Sequence, residues 1–379
     1  MRTVMVTKFL PLPDNSGGRQ RSLAIARRLA QLGELVLCAY DDGAADLDGL
    51  REMGIDVRST PWRPSAIRAA RGVVVTGSVS AGRFWSVELV DQIRKAVREA
   101  PVDLLQVEYL QMAPLANRLV AKRRVLDLHN IESELVASHG RTRRGPASLL
   151  YRMEAGALRR MERRVLGTFD RVIVVSDRAR GRLPLGPGTA LICPNGQDRP
   201  RLLPAATSPV VAFVATLGWA PNVDAALWLG REIWPQVVLR VPEARLLLVG
   251  RSPSPAVQDL AGPGVAVTGT VPDVSPYLEQ AQVVLAPLRA GGGTRLKIME
   301  ALGAGRPVVS TSIGCDGLED LVGRGLVVAD DTRAMVDEIT RLLSDPSDAR
   351  RLGKLGHDAV NEGHTWDAAL APLLAAVTQ

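Results

Sequence analysis

One stretch of the chain, residues 283–311, restricts the possible fold more than any other. It reads VVLAPLRAGGGTRLKIMEALGAGRPVVST, in which the apolar residues 283–286 and 308–310 predict two short strands. Between them, three glycines precede residues 294–302, whose apolar side chains recur at helical spacing. A strand, a glycine loop and a helix N-terminus favour anion binding, because free backbone N–H groups and the positive end of the helix dipole converge there.

Charged side chains at the start of this helix also favour an anion-binding site. Arg295 and Lys297 place positive charge in the predicted first turn, and Lys297 shares a helix face with Glu300. This arrangement suits a diphosphate at the loop and a ribose hydroxyl at the Glu300 carboxylate. The alternative is a glycine-rich turn with an ordinary surface Lys–Glu pair.

These residues resemble the C-terminal donor site of the GT-B glycosyltransferases, specifically the retaining family 4. Many family members carry a pair of glutamates at the head of this helix, and Glu300 matches the second, which holds the ribose of the nucleotide sugar. The first would fall at Gly292, so the chain is similar to a branch that reads GGGTRLKIMEAL. In that branch we expect Arg295 and Lys297 to supply part of the positive charge that binds the diphosphate.

The resemblance also covers the other loops of the second half of the chain. Many members hold the diphosphate with an arginine and a lysine in the first loop of this domain. Here the lysine position is Asn222 and no arginine matches, which again moves the positive charge to the helix start. The donor-binding residues implied by the resemblance are Gly218, Asn222, Gly250, Thr270, Val271, Gly292, Gly293, Thr294, Arg295, Leu296, Lys297 and Glu300.

The first half opens with a strand, a loop, a helix and a second strand, at residues 3–7, 11–19, 22–32 and 35–39. This unit is the start of a nucleotide-binding fold. Gly17, Gly18 and Arg19 end the loop, but the pattern is not GxGxxG, so a dinucleotide site is not indicated. In the resembled family this loop lets the backbone approach the transferred sugar or the acceptor. The alternative is a tight turn that needs glycine.

Two further strands of the first half end in polar residues. Residues 102–107 lead to Glu108, and residues 125–128 lead to His129 and Asn130, at the sheet edge where ligands bind in open α/β folds. Residues 129–132 match a His-Asn-hydrophobic-Glu pattern of the family. The resemblance implies that the histidine and asparagine contact the transferred sugar near the β-phosphate and act as catalytic residues. A lone strand-end histidine is otherwise more often structural.

The predicted fold class is α/β, in the GT-B arrangement of two Rossmann-like domains with parallel sheets that face each other across a cleft. Residues 1–196 would form the acceptor-binding domain and residues 209–363 the nucleotide-sugar domain. The proline- and arginine-rich residues 197–208 would be the linker. Residues 364–379 would form a closing helix that crosses back to the first domain.

Charge is distributed unevenly along the chain. Residues 1–200 carry 32 Lys and Arg against 21 Asp and Glu, a net +11, whereas residues 201–379 carry 15 against 19, a net −4. A basic half favours an anionic partner such as membrane lipid or a phosphorylated acceptor, and the scarcity of aromatic residues among the charges argues against nucleic acid. Residues 141–166 predict one long basic helix, with Leu150 and Met153 on its apolar face. It would either lie on an anionic membrane or pack on the sheet.

The predicted reaction is retaining transfer of a sugar from a UDP- or GDP-linked donor to a polysaccharide, glycolipid or small-molecule hydroxyl. We expect no cofactor and no metal, since the segments expected to line the cleft contain no Asp-x-Asp or histidine cluster spaced for a divalent ion. The chain shows no signal peptide or apolar span and three scattered cysteines, which predicts a cytoplasmic enzyme, peripheral at the inner face of the membrane. The alternatives are a nucleotide-sugar epimerase of the same fold and a non-catalytic nucleotide-sugar-binding protein.

Overall fold

The computed structural model of the chain describes residues 1–116, 119–141, 145–198, 200–206, 208–290 and 295–378. Its backbone divides into two compact units. The first unit comprises Met1–Pro194 together with the segment that begins at Leu370, and the second comprises Asn195–Ala369.

The first unit is built on a parallel sheet, which has seven strands within the described residues. The strands are β1 (Arg2–Phe9), β2 (Glu34–Asp41), β3 (Ile55–Pro61), β4 (Leu104–Glu108), β5 (Arg123–Asp127), β6 (Arg171–Val174) and β7 (Ala190–Ile192). Their order in the sheet is β3-β2-β1-β4-β5-β6-β7. The chain therefore reverses its direction of growth between β1 and β4.

Helices connect these strands and cover the sheet. They are α1 (Gly17–Gln31), α2 (Leu47–Glu52), α3 (Ala66–Thr76), α4 (Val79–Gly82), α5 (Val87–Glu99), α6 (Ala113–Ala116), α7 (Glu132–Arg141), α8 (Pro146–Leu166) and α9 (Asp177–Arg180), with a 3-10 turn at Leu110–Met112. Strands such as β4 are buried along their whole length, as expected for a parallel sheet that is covered on both faces.

The second unit has a parallel sheet of six strands within the described residues. These are β8 (Val210–Val214), β9 (Arg245–Val249), β10 (Val265–Val267), β11 (Val283–Ala286), β12 (Val308–Ser310) and β13 (Leu326–Val328). Their order is β10-β9-β8-β11-β12-β13, so the reversal lies between β8 and β11. Two parallel sheets of this kind confirm the predicted α/β class.

The helices of the second half complete the fold. They are α10 (Ala220–Trp228), α11 (Trp234–Arg240), α12 (Pro255–Gln258), α13 (Ser275–Gln280), α14 (Leu296–Gly303), α15 (Thr332–Ser344), α16 (Pro346–Gly363) and α17 (Trp366–Thr378), with a π-helical turn at Leu229–Ile233 and a 3-10 turn at Glu319–Leu321. From Leu370 onward, α17 belongs to the first unit, where Arg123 donates a hydrogen bond to the carbonyl of Ala376 at 3.2 Å.

The prediction of one helix over residues 141–166 is wrong. Helix α7 ends at Arg141 and α8 begins at Pro146, after Gly145 with a φ of 71°. A proline is favoured in the first turn of a helix and disfavoured in its interior, so Pro146 marks a start that the helical spacing alone does not show. Of the predicted apolar face, Leu158, Met161 and Val165 are buried, whereas Leu150 and Met153 are exposed.

Two glycine-rich helix starts also differ from the prediction. Gly17, Gly18 and Arg19 form the first turn of α1 and not the end of a loop, because the backbone is extended only as far as Ser16. Helix α14 begins at Leu296, so Arg295 precedes the first turn as its extended cap residue. Gly292, Gly293 and Thr294 lie outside the described residues.

Candidate active site

The end of β1, the end of β4 and the start of α1 meet at the reversal point of the first sheet, where open α/β folds bind ligands. Polar side chains gather at this edge. Glu108 ends β4, Asp127 ends β5, and His129 follows two residues later. All three are buried. The predicted residues Glu108 and His129 are thus brought together.

Arg21 of α1 is a buried cation at this edge, which the sequence patterns did not reveal. Its Nε and Nη2 atoms donate to the two carboxylate oxygens of Asp127, at 2.8 and 3.2 Å. It also donates to the carbonyls of Cys193 and Pro194, at 2.9 and 3.0 Å. Burial raises the pKa of Asp127, and the Arg21 charge opposes that shift. Arg21 thereby fixes α1 to the ends of β5 and β7.

Glu108 and His129 form a buried pair in which Glu108 Oε2 and His129 Nε2 are 2.8 Å apart. Gln106 donates to the other oxygen, Oε1, also at 2.8 Å. Burial raises the pKa of Glu108 to about 7 and lowers the pKa of His129 to about 3. The imidazole is therefore neutral at physiological pH, and a single proton lies between it and the carboxyl group.

Tyr109 links this pair to the start of α1. Its ring stacks on His129, with centroids 3.8 Å apart, and its backbone φ is 71°, an uncommon value for a residue other than glycine. Lys8 Nζ lies 4.2 Å above the tyrosine ring. A Cβ atom on Gly18 would be 2.3 Å from the Tyr109 hydroxyl and 3.8 Å from His129 Nδ1. Position 18 therefore needs glycine so that α1 can approach both rings.

Two further predicted residues of this edge, Asn130 and Arg19, lie outside the Glu108–His129 pair. Asn130 is half-buried, and its side chain has no hydrogen bond within the residues that the structure describes. Arg19 forms an ion pair with Asp42, in the loop that follows β2. Asn130 is thus available to a ligand, whereas Arg19 already has a partner.

One oxygen each from Glu108 and Asp127 and a nitrogen of His129 lie within 4.8 Å of one another, a spacing that a metal ion can bridge. The surrounding chemistry does not fit a divalent cation. Both oxygens of Asp127 accept from Arg21, whose fixed positive charge would repel a second cation at this distance. The cluster is better described as a hydrogen-bonded ion network.

In the second unit, the reversal point between β8 and β11 lies beside the start of α14. Lys297 Nζ donates to Glu300 Oε2 at 3.2 Å across one turn, which confirms the predicted shared face. Both side chains are partly exposed. Both side chains are therefore accessible to a ligand. Each is the hydrogen-bond partner of the other in this structure.

Arg295 is the unusual residue of this edge. Its Nε and Nη2 atoms are buried and have no hydrogen-bond partner within the described part of the chain. Burial lowers the pKa of Arg295 to about 10, and the Asp316 charge only partly opposes that shift. The guanidinium carbon lies 6.0 Å from the centre of the Trp219 ring. A buried cation with unused donors is suited to an anionic ligand.

The loops after β8 and β9 approach each other closely through glycines. A Cβ on Gly250 would lie 1.7 Å from the Ala215 carbonyl oxygen, and one on Gly218 would lie 2.5 Å from that of Ser252. Asn222, in the first turn of α10, donates to the Thr216 carbonyl at 3.0 Å. In the structure these predicted donor residues shape the two loops.

Thr270 and Val271 follow β10. Thr270 is exposed, and Val271 packs against the apolar cluster that contains Ile298 and Met299 of α14. The functional roles of the predicted site residues in both units stay predictions. Sequence reasoning missed Lys8, Arg21, Tyr109 and Asp127, although an arginine on the inward face of α1 and an aspartate inside an apolar strand were visible signals.

Two family models match the chain. The model described as "Glycosyl transferase 4-like domain" matches residues 16–196, and the model described as "Glycosyl transferases group 1" matches residues 208–345. A protein of Klebsiella pneumoniae, "Uncharacterized 44.6 kDa protein in cps region", is 28% identical over 130 residues, which are 32% of this chain and 34% of that protein. The match spans about a third of the length of this curated relative.

Solved structures match over the whole chain. A sucrose-phosphate synthase from Thermosynechococcus elongatus superposes with a TM-score of 0.72 at 18% identity, covering 100% of this chain and 99% of the other. The Anabaena protein HepE, solved with UDP and glucose, gives a TM-score of 0.67 at 14% identity, covering 100% of both chains. At these identities the likeness shows the fold.

Proposed function

The chain belongs to the GT-B glycosyltransferases of the GT4-like kind, and from this premise we propose that it transfers a sugar from a nucleoside diphosphate donor to a hydroxyl group. The membership makes the chain an enzyme of glycosyl transfer. The donor, the acceptor and retention of the anomeric configuration belong to the proposal.

The observation that carries the proposal is the buried guanidinium of Arg295. Two of its donor atoms have no partner within the described residues, while the folded chain bears the cost of burying them. The diphosphate of a donor supplies acceptor oxygens and negative charge for those atoms. Such a contact strengthens as the sugar leaves, because negative charge then grows on the departing phosphate.

The Lys297–Glu300 pair offers the next two contacts. When the donor binds, the ammonium group of Lys297 turns to the diphosphate, and the Glu300 carboxylate accepts hydrogen bonds from the ribose hydroxyls. The pair is exposed and separated by 3.2 Å, so breaking it costs little. With Arg295 and Lys297 as the counter-charges, the proposal requires no resident cofactor.

The edge of the first unit would handle the sugar and the acceptor. His129 is neutral, and its Nε2 atom is occupied by Glu108, which leaves Nδ1 near Gly18 for a sugar hydroxyl. Gly18, in the first turn of α1, lies beside this nitrogen. The leaving phosphate itself would take up the proton of the acceptor.

Two of the similar solved structures suggest which nucleotide base the donor carries. Anabaena HepE was solved with UDP and with UDP-glucose, and we therefore propose a UDP-linked donor ahead of a GDP-linked one. The acceptor would be a sugar, lipid-linked or small-molecule hydroxyl and not a nucleic acid. The enzyme would work in the cytoplasm at the inner face of the membrane.

A donor screen tests the proposal. The protein is incubated with labelled UDP- and GDP-sugars and a mixture of hydroxyl acceptors, and labelled product, free nucleotide and free sugar are measured. We expect labelled product from a UDP-sugar, with the donor's anomeric configuration in the proton NMR spectrum. Binding without any turnover, or an isomerised free sugar, would contradict the proposed transfer.

A comparison of two variants tests whether His129 and Asn130, at the edge of the first unit, act in turnover. His129→Ala should lower the turnover number by roughly a hundredfold, about 2.7 kcal/mol at the barrier, with little change in UDP affinity. Asn130→Ala should lower it less. If His129→Ala loses UDP binding and thermal stability together, the histidine has only a structural role.

A further inference from the structure

The first unit exposes apolar side chains that a folded chain normally buries. Helix α3 exposes Val74 to 87%, and α8 exposes Leu150 to 66%. The other members of this set are Ile67, Val75, Val79, Leu149 and Met153, each more than half exposed. Single exposed apolar residues are common on protein surfaces, but seven large ones on three helices of one unit need an explanation.

Hydrogen bonds and close backbone packing connect these three helices. Glu154 of α8 accepts hydrogen bonds from the Ser78 hydroxyl at 2.6 Å and from the Val79 and Ser80 amides at 3.0 and 2.9 Å. It thereby ties α8 to the start of α4. Helix α4 in turn packs on α3, where a Cβ on Gly72 would be 2.1 Å from the Gly82 carbonyl oxygen.

Arginines continue this surface along α8. Arg152 lies between Leu149 and Met153, and the later turns expose Arg159, Arg160, Arg163 and Arg164. In the part of the chain that the structure describes, none of these five forms an ion pair. By contrast, exposed arginines of the second unit such as Arg240 and Arg324 pair with carboxylates. The α8 arginines are therefore left to attract an external anion.

We propose that this face, made by α3, Val79 and α8, lies on the surface of a bilayer that contains anionic lipids. The apolar side chains enter the boundary between head groups and acyl chains, and the arginines pair with lipid phosphates. No helix of the described residues is long and apolar enough to cross a membrane. The interaction goes beyond the proposed reaction and does not depend on it.

The charge of the chain agrees with an anionic partner of this kind. Residues 1–200 carry a net +11, whereas residues 201–379 carry a net −4. The acidic residues of α8 are engaged elsewhere: Glu154 caps α4, and Glu162 accepts from Ser133 at 2.7 and 3.0 Å. Acidic side chains of α8 therefore do not neutralise its arginines.

Vesicle flotation of the full chain tests the proposal with two triple variants. One replaces the apolar residues (Leu149→Gln, Leu150→Gln, Met153→Gln), and the other replaces arginines (Arg160→Gln, Arg163→Gln, Arg164→Gln). A matched control removes the same charge from exposed arginines of the second unit (Arg231→Gln, Arg333→Gln, Arg350→Gln). Leu239→Gln, at a side chain that is 83% exposed, is the apolar control.

We expect the parent protein to float with phosphatidylglycerol vesicles at low salt and not with phosphatidylcholine alone. The arginine variant should lose about a hundredfold in partition coefficient, because each arginine contributes about 1 kcal/mol and about 1.4 kcal/mol is tenfold. The apolar variant should lose the binding that persists at high salt. Both controls should bind like the parent.

Other outcomes would overturn the proposal. Absence of parent binding, or parental binding by both triple variants, removes the bilayer as the partner. If the apolar variant instead converts a parental dimer to a monomer in sedimentation, the face is a contact between two copies of the chain. UDP affinity is measured for every variant, so failure of the nucleotide site is detected separately.

Discussion

At the scale of single residues, Arg295 shows a conflict between folding and binding. A guanidinium without hydrogen-bond partners destabilises the folded state by about 1–3 kcal/mol, and an anionic ligand recovers that cost only when it is bound. Burial already lowers the pKa of Arg295 to about 10. The residue is therefore poised for binding, at the expense of stability.

The first prediction separates these two effects. Arg295→Met should weaken UDP binding by about ten- to hundredfold, the value of a charge-assisted contact, while uridine binding changes little. The same variant should keep or raise the free energy of unfolding, because it removes a buried charge. Calorimetric titration and urea unfolding measure the two quantities.

Arg289→Met is the control for this variant. Arg289 pairs with Asp224 at 2.7 and 3.0 Å on an exposed surface, so its loss should lower stability by at most about 1 kcal/mol. Equal UDP affinity of Arg295→Met and the parent would refute the role of Arg295. A large loss of stability in Arg295→Met would show that the guanidinium has a structural partner.

The Glu108–His129 pair has a defined effect on the pH dependence of stability. The folded pKa of Glu108 is raised to about 7 from 4.5, so its contribution to stability is lost as pH rises between these values. The folded pKa of His129 is lowered to about 3 from 6.5, so its contribution is lost as pH falls. Between pH 4.5 and 6.5 the two effects cancel, because the folded and the unfolded pair each hold one proton.

The second prediction is that Glu108→Gln removes this cancellation. The variant should lose about 1.4 kcal/mol of stability per pH unit, relative to the parent, as pH falls from 6.5 to 4.5. Urea unfolding of both proteins at the two pH values gives the difference. Glu243→Gln, at an exposed position, should follow the parent. Parallel pH profiles of Glu108→Gln and the parent would mean that the proton is not shared.

At the scale of secondary-structure elements, the start of α1 is the most constrained element of the candidate site. Arg21 fixes this helix to Asp127, and Gly18 allows it to touch the Tyr109 hydroxyl. Both constraints arise within the first two turns. Small changes there should therefore alter activity more than stability.

The third prediction concerns Gly18→Ala. Alanine favours a helix by about 1 kcal/mol over glycine, but its Cβ would lie 2.3 Å from the Tyr109 hydroxyl. We expect a loss of turnover of roughly tenfold or more, since a displacement of this size at a catalytic edge is costly. The double variant Gly18→Ala/Tyr109→Phe should recover much of it, because the clashing oxygen is gone.

Gly156→Ala provides the matched control. This glycine also lies in a helix, and its nearest neighbour, the end of Arg160, would be 3.7 Å from an added Cβ. We expect parental turnover from it. If the double variant is as inactive as Gly18→Ala, the defect does not arise from contact with Tyr109.

At the scale of the whole molecule, each unit has its own sheet, apolar cluster and reversal point. The two candidate edges follow the same topological rule, since both lie where the order of the strands reverses. The proposed nucleotide contacts, however, all belong to the second unit. Nucleotide binding should therefore stabilise that unit in particular.

The fourth prediction is that UDP raises the thermal midpoint of the second unit. At a UDP concentration of about one hundred times the dissociation constant, the gain is about 2.7 kcal/mol, or roughly 5–11 °C for a domain of this size. Tryptophan fluorescence reports it, because Trp219, Trp228, Trp234 and Trp366 all lie in this unit. Uridine should have a smaller effect, and a shift that is equal for uridine and UDP would exclude the diphosphate contact.

The sequence by itself determined the class of the fold and the main elements. Apolar runs such as residues 283–286 and 308–310 became strands with the predicted bounds, because buried parallel strands need continuous apolar residues. The motif order along the chain also identified the family, which the matches confirm. Local patterns carry this information, since periodicity and glycine spacing act within a few residues.

Tertiary structure alone decided which distant residues meet. Arg21 and Asp127 are 106 positions apart, and only the strand order brings them to 2.8 Å. Burial then sets the chemistry: it neutralises His129 and leaves Nε and Nη2 of Arg295 without hydrogen-bond partners among the described residues. Packing likewise decided the exposure of Leu150 and Met153. A helical pattern predicts which residues share a face of the helix, but not what that face packs against. Desolvation and long-range pairing depend on all surrounding atoms, which a sequence pattern does not specify.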